Sequence, residues 1–232
     1  MAESESQNNV VISKKTINRI ISDISELIKN PLHEHNIFYE HDEDNILAGY
    51  AMIVGPKDTP YYGGYYFFYF RFPHNYPHSP PKVTYYTNDG MTRFNPNLYK
   101  CGKVCLSVLN TWRGEGWTGC QTISSILLIL CSILNENPLL NEPGITEKHA
   151  DLKNYNKIIH FKNYQVALIR MLNKDGLDNK FSIFYDEMVK IYLKNYENYV
   201  EDIKAKDCNK NAGYTATSMY GMSVKIDYEE II

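Results

Sequence analysis

The sequence predicts an α+β fold in which a four-stranded antiparallel meander lies between helices. Three observations predict it. Ile17, Ile20, Ile21, Ile24, Leu27 and Ile28 recur at helical spacing near the start. Four short apolar runs follow, separated by turn residues, and short connections favour antiparallel pairing. Helical spacing then returns in the second half, and strands segregated from helices give α+β rather than a doubly wound sheet.

The first helix stops at Asn30-Pro31, because proline lacks an N–H and disfavours helical backbone in the residue before it. Strands are read at Ile37–Glu40, Ile46–Val54, Tyr65–Phe72 and Lys82–Thr87, with turns at Asp42–Asn45, Gly63-Gly64 and Pro80-Pro81. The almost wholly aromatic run Tyr65–Phe72 reads as core packing. Residues 88–121 show no clear period, a long loop of the kind that carries function. Thr122–Asn135 reads as a buried helix, and Asn137–Gly144 as a turn-rich stretch. Helical spacing recurs at Tyr155, Ile158, Ile159, Val166, Ile169 and Leu172, then at Phe181, Phe184, Met188, Ile191, Tyr199 and Ile203. Asp207–Met222 reads as loop, and 223–232 has no assignable pattern. The expected organisation is a flexible start at 1–12, a core domain at 13–174 and an extension at 175–232, helical at 181–206.

Of 232 residues, 44% are hydrophobic and 22% charged, an ordinary balance that supports a core. A net charge of −3 gives no reason to expect nucleic acid as a partner. The longest apolar run, around Ile126–Leu130, is too short to span a membrane. The polar start Met1–Val10 is no secretory signal, so the five cysteines point to free thiols in a reducing compartment, cytoplasmic and/or nuclear.

The stretch "FNPNLYKCGKVCLSVLNTW", Phe94 to Trp112, holds Cys101 and Cys105. Four readings are open. With Cys120 and Cys131 they could hold zinc, although zinc sites usually pair their cysteines twice at short spacing and only the first pair is close. A disulfide conflicts with the expected compartment. Both could be small packed residues, as most cysteines are. Or one is a nucleophile, which needs an accessible thiol and donors for an oxyanion. Asn97 offers an amide donor, Pro96 stiffens the backbone beside it and Gly102 permits a tight approach. No histidine lies in the loop; His74 and His78 sit in the preceding Pro-rich turn.

Several stretches in order resemble ubiquitin-conjugating enzymes. "GPKDTPYYGGYYFFYFRFPHNYPHSPPKV" resembles their second hairpin, third strand and Pro-rich turn; "FNPNLYKCGKVCLSVL" resembles their active-site motif; "GWTGCQTISSILLILCSIL" resembles their tryptophan loop and second helix. The similarity covers roughly Ile17 to Leu172. The insertion in "VCLSVLNTWRGEGW", the enlarged loop "NENPLLNEPG" and the helical sequence that follows resemble the longer Z-type subgroup.

The resemblance implies the conjugating-enzyme core and a cysteine that carries a ubiquitin thioester. That cysteine is Cys105, in Gly-x-Val-Cys-Leu context, and Cys101 is incidental. Asn97 matches the motif asparagine, which supports the oxyanion or orders the loop. Asn95 replaces a mainly structural histidine, Ser107 replaces a frequent aspartate, and Glu142 best matches the acidic group after the second helix. His78 and Thr118-Gly119-Cys120 depart from the usual ligase-binding residues. The implied partners are ubiquitin or a ubiquitin-like modifier, an activating enzyme, a ubiquitin ligase and protein substrates, with neither nucleic acid nor membrane. No ATP, metal or organic cofactor of its own is implied. Lys14, Lys15 and Arg19 are either a solvated face or the surface that docks the activating enzyme. Two other functions stay open: conjugation of another modifier, and a non-enzymatic binding variant of the fold.

Overall fold

The computed structural model describes residues 12–207 and 213–231. Of the flexible start expected at 1–12, all but Ile12 lies outside the described residues. Helix α1 spans Lys14–Lys29. The Ser13 hydroxyl caps it by accepting from Thr16 N at 3.1 Å, and Asn30 N–H closes it on Glu26 O just before Pro31. Strands β1 (Ile37–His41), β2 (Ala48–Val54), β3 (Tyr65–Arg71) and β4 (Lys82–Tyr85) form an antiparallel meander in the order β1-β2-β3-β4. β2 starts two residues later than the apolar pattern does. Asn45 forms a turn there, its side chain accepting from Leu47 N and its carbonyl from Ala48 N. β4 ends early because Tyr85 N turns to Gly102 O, while the Thr87 hydroxyl bridges Phe67 N and Tyr65 O.

β3 shows little apolar/polar alternation because both its faces are covered. On one face, Tyr66 packs edge-on against Tyr61 and Phe94 and donates to Asn163 Oδ1. On the other, the Phe67 ring packs at a tilt against Phe181 with centroids 4.9 Å apart, and the Tyr65 hydroxyl donates to Met188 O. Phe181 and Met188 belong to the extension, which starts with a 3-10 turn at Asn179–Phe184 and continues as α4, Tyr185–Asp207. Phe181, Phe184, Met188, Tyr199 and Ile203 share one core with the sheet.

Helix α2 (Ile123–Ser132) begins at a reciprocal cap between Thr122 and Ser125. Helix α3 spans Leu152–Lys162, and its continuation widens to π-helix at Asn163–Arg170. Buried Asn163 sits at that junction and also donates to Tyr62 O. Gly64 allows this approach, since a Cβ there would lie 2.0 Å from Asn163 Oδ1.

The segment expected as loop at Asp207–Met222 is partly a hairpin. β5 (Gly213–Thr217) pairs antiparallel with β6 (Met222–Ile226). Its connection carries a non-glycine residue, Tyr220, at φ 60°, so it lacks the Asn-Gly type of signature by which two-residue hairpins are read. No helix among the described residues is long and apolar enough to cross a membrane.

Candidate active site

The loop from Phe94 to Trp117 is built around one buried amide. Asn95 is 0% exposed. Its Nδ2 donates to Tyr61 Oη at 2.9 Å and Ile133 O at 2.8 Å, and its Oδ1 accepts from Asn97 N at 2.9 Å and from Asn141 Nδ2 at 3.5 Å. Asn95 thus ties this turn to the β2–β3 connection, to the end of α2 and to the loop that follows α2. Asn97 in turn faces Cys105. Its Nδ2 donates to Cys105 O at 2.7 Å, and its carbonyl accepts from Cys105 N at 2.8 Å. Asn97 Oδ1 is buried with no hydrogen-bond partner among the described residues.

Between them the chain makes a tight reversal. Tyr99 N donates to Lys103 O, and Gly102 N donates to Tyr99 O. Gly102 takes φ +85°, where a Cβ would also meet Tyr85 O at 2.8 Å. Cys101 sits on this reversal and is exposed, whereas Cys105 is only 2% exposed. The Cys105 thiol donates to Thr111 O at 3.4 Å. The Thr111 hydroxyl accepts from Leu106 N at 2.9 Å and lies 2.8 Å from Val104 O, so it clamps the peptide groups on both sides of the cysteine. Thr111 lies in the insertion before Trp117; sequence reasoning had no signal for it beyond that insertion. All four described cysteines, Cys101, Cys105, Cys120 and Cys131, are free thiols.

Glu142 follows the short 3-10 turn Pro138–Asn141, and its Oε2 accepts from the Tyr220 hydroxyl at 2.6 Å. Burial, together with that bond, raises the Tyr220 hydroxyl above its usual range. Ser107 starts the 3-10 turn Ser107–Leu109 and lies beside Gly114, where a Cβ would come within 3.2 Å of the Ser107 Cβ.

The three basic residues in the first half of α1 divide. Lys14 and Lys15 are exposed. The Arg19 guanidinium points inward: Nε pairs with the 4% exposed Asp23 at 2.8 Å, and its terminal nitrogens donate to Gly119 O and Gln121 O, both at 2.6 Å. Arg19 therefore ties α1 to the Trp117 loop and is not part of a solvated basic patch. The charge pattern alone could not reveal that contact, which spans about a hundred residues.

The family model for ubiquitin-conjugating enzymes matches residues 19–165. The chain is 41% identical over 195 residues to "Ubiquitin-conjugating enzyme E2 Z" of Danio rerio, covering 83% of this chain and 58% of the relative. It is 38% identical over 218 residues to the Homo sapiens protein of the same name, covering 92% and 60%. A 196-residue stretch, 78% of this chain, is 36% identical to 4% of "Dual E2 ubiquitin-conjugating enzyme/E3 ubiquitin-protein ligase BIRC6" of Homo sapiens. The chain thus spans about three fifths of the length of the E2 Z relatives. With the family model matched from α1 through α3, and with the meander and helices expected of that core in place, the chain belongs to the ubiquitin-conjugating enzyme family.

Proposed function

We propose that the protein accepts ubiquitin from an activating enzyme as a thioester on Cys105 and passes it to a substrate lysine, directly or through a ligase. The observation that carries this reading is the pairing of Cys105 with Asn97 through both of their backbones and one amide. In the first step the Cys105 thiolate attacks the carbonyl carbon of the incoming thioester, a tetrahedral oxyanion forms, and the activating enzyme's thiolate leaves. In the second step a neutral lysine amine attacks the new thioester, loses a proton, and Cys105 leaves as thiolate. Neither step consumes ATP or needs an oxidant.

Asn97 commits one amide hydrogen to the Cys105 carbonyl, which fixes the loop, and the other serves the oxyanion. Loading requires the thiol to leave its contact with Thr111 O. Glu142 orients the incoming amine with the oxygen that Tyr220 does not hold. A carboxylate alone favours the charged ammonium, so its contribution is positioning rather than proton removal. The exposed pair Lys14 and Lys15 docks the activating enzyme, and Arg19 keeps α1 in place for it.

A charging assay tests the assignment. With activating enzyme, ATP and ubiquitin, the wild type and Cys101→Ser gain a thiol-sensitive adduct, and Cys105→Ser gains a thiol-resistant oxyester. Charging that is lost in Cys101→Ser and survives in Cys105→Ala would overturn the assignment.

A further inference from the structure

The hairpin β5–β6 lies beyond the family-matched residues, yet it reaches the active-site turn. Two residues, Asp151 and Asn154, seat it on α3 and the segment before it. Asp151 Oδ2 accepts from the Ser218 hydroxyl at 2.6 Å and from Met219 N at 2.8 Å, and Asn154 Nδ2 donates to Ala216 O. From the connection between the strands, Tyr220 projects toward Arg93. Its φ of 60° is a left-handed conformation that non-glycine residues rarely adopt, so the surrounding contacts must outweigh that strain.

Arg93 is only 9% exposed. Among the described residues no carboxylate lies within salt-bridge distance of it. Its guanidinium is held instead between two rings, 3.4 Å from the Tyr99 centroid and 5.0 Å from that of Tyr220. Its donors go to Asn95 O at 3.1 Å and Pro96 O at 2.7 Å, the two carbonyls before Asn97. Its own N–H meets Met222 Sδ at 3.4 Å, a second link to the hairpin. The Tyr220 hydroxyl meanwhile holds Glu142. One hairpin residue therefore touches both acceptor-side groups: the Asn97 turn through Arg93, and Glu142 directly.

We propose that the C-terminal hairpin props the active site. Tyr220 is a positioning residue that, through Arg93, holds the Asn95–Asn97 turn against Cys105 and, through its hydroxyl, sets the Glu142 carboxylate. This rests on the Cys105 thioester reading. The prop acts on the step that uses Asn97 and Glu142, which is transfer to the amine, more than on loading.

The test pairs single-turnover kinetics with hydrogen exchange on the full chain. Preloaded Tyr220→Ala is expected to discharge to free lysine roughly tenfold more slowly, with a smaller effect on loading. In an Asn97→Ala background the same change should slow discharge less than it does in wild type, because the part that runs through the turn is already lost and only the part through Glu142 remains. Tyr220→Phe keeps the ring over Arg93 and frees Glu142, so its loss should be the smaller one. Amides at 94–98 should exchange faster in Tyr220→Ala while those of β1–β3 stay unchanged. Equal slowing of loading and discharge, full additivity with Asn97→Ala, or unchanged exchange at 94–98 would each overturn the prop. If wild type fails to load at Cys105, the functional reading falls, and the exchange measurement still decides whether the hairpin holds the turn.

Discussion

Asn95 offers the sharpest test of how the active-site turn is held, because both of its amide donors and its acceptor are used without solvent. In Asn95→Ala three bonds of 2.8–2.9 Å disappear. Each is worth about 0.5–1.5 kcal/mol net. Two of the partners keep substitutes: Tyr61 still donates to Phe94 O, and Ile133 O still accepts from Asn141 Nδ2 at 3.0 Å. Asn97 N is the group left without its acceptor. The loss should therefore fall near the middle of the range, about 2–3 kcal/mol, or roughly 4–12 °C in melting temperature for a domain of this size.

Asn95→Asp separates donor from acceptor. The oxygen that serves Asn97 N is retained, but the group facing Ile133 O becomes an oxygen. Protonated, the new carboxyl can donate to that carbonyl; ionised, it faces it as a buried charge. Its folded pKa is then raised above the unfolded value of about 3.9. A raised folded pKa gives stability that is full below the unfolded value and is lost as pH rises through the folded one. Urea unfolding followed by fluorescence of Trp112 and Trp117 reads it out. Relative to wild type, Asn95→Asp should weaken steadily from about pH 4 toward neutrality, by up to about 1.4 kcal/mol per pH unit, whereas Asn95→Ala should show a constant deficit. If Asn95→Asp matches wild type at every pH, the amide does not donate to Ile133 O and the turn is held some other way.

Three further outcomes are expected. Arg19→Ala should cost roughly 1.5–3 kcal/mol in urea unfolding, since hydrogen bonds to charged groups are lost, while reversing Lys14 and Lys15 should leave stability within about 0.5 kcal/mol and slow loading in a salt-sensitive way; equal stability losses would return Arg19 to the solvated face. Phe181→Ala should cost roughly 3–5 kcal/mol, because the ring packs on Tyr50, Phe67 and Tyr86, and a loss under about 1 kcal/mol would detach the extension from the core. The Ser218 hydroxyl and then Met219 N–H hold the Asp151 carboxyl below its usual range, so the stability gap between wild type and Asp151→Asn should be full above about pH 4 and close as pH falls through the lower folded pKa; a gap that ignores pH between about 2 and 6 would refute the carboxylate's role in seating the hairpin.

Local signals carried the fold through residue 135. The period of α1, the stop at Asn30-Pro31 and the four apolar runs depend on neighbours a few residues apart, and the structure places those elements within two residues. What escaped depends on distant partners. Arg19 looks like any basic residue on an amphipathic helix until Gly119 and Gln121 meet it. The hairpin strand Met222–Ile226 does alternate apolar with polar residues, but five residues of alternation are weak evidence without a turn signature before them. The run Tyr65–Phe70 held a usable signal. Antiparallel strands with one wet face alternate, and this one does not, so a second cover was required. The motif singled out Asn97 and Cys105, which the structure bonds to each other, but gave no sign of the Thr111 clamp, which depends on how the insertion folds back.

Exposure and chemistry point to different cysteines, and magnitudes favour the proposed Cys105. Cys101 is open to solvent, which favours it as a resting nucleophile; Cys105 is covered. The hydrogen bond that retains the Cys105 thiol is one long contact from a weak donor to Thr111 O, and an ordinary hydrogen bond of about 0.5–1.5 kcal/mol is its upper limit. Breaking it slows attack by at most roughly tenfold. The missing asset at Cys101 is larger. A single oxyanion donor is worth about 10²–10³ in rate, and Asn97 is bonded to the peptide of Cys105 rather than to the reversal that carries Cys101. A carrier of a hydrolysable thioester also gains from restricted water access, which the covered thiol provides and the exposed one does not. The smaller cost lies with the covered cysteine, so burial does not count against the proposed Cys105, and on that proposal loading should begin with movement of the Thr111 segment.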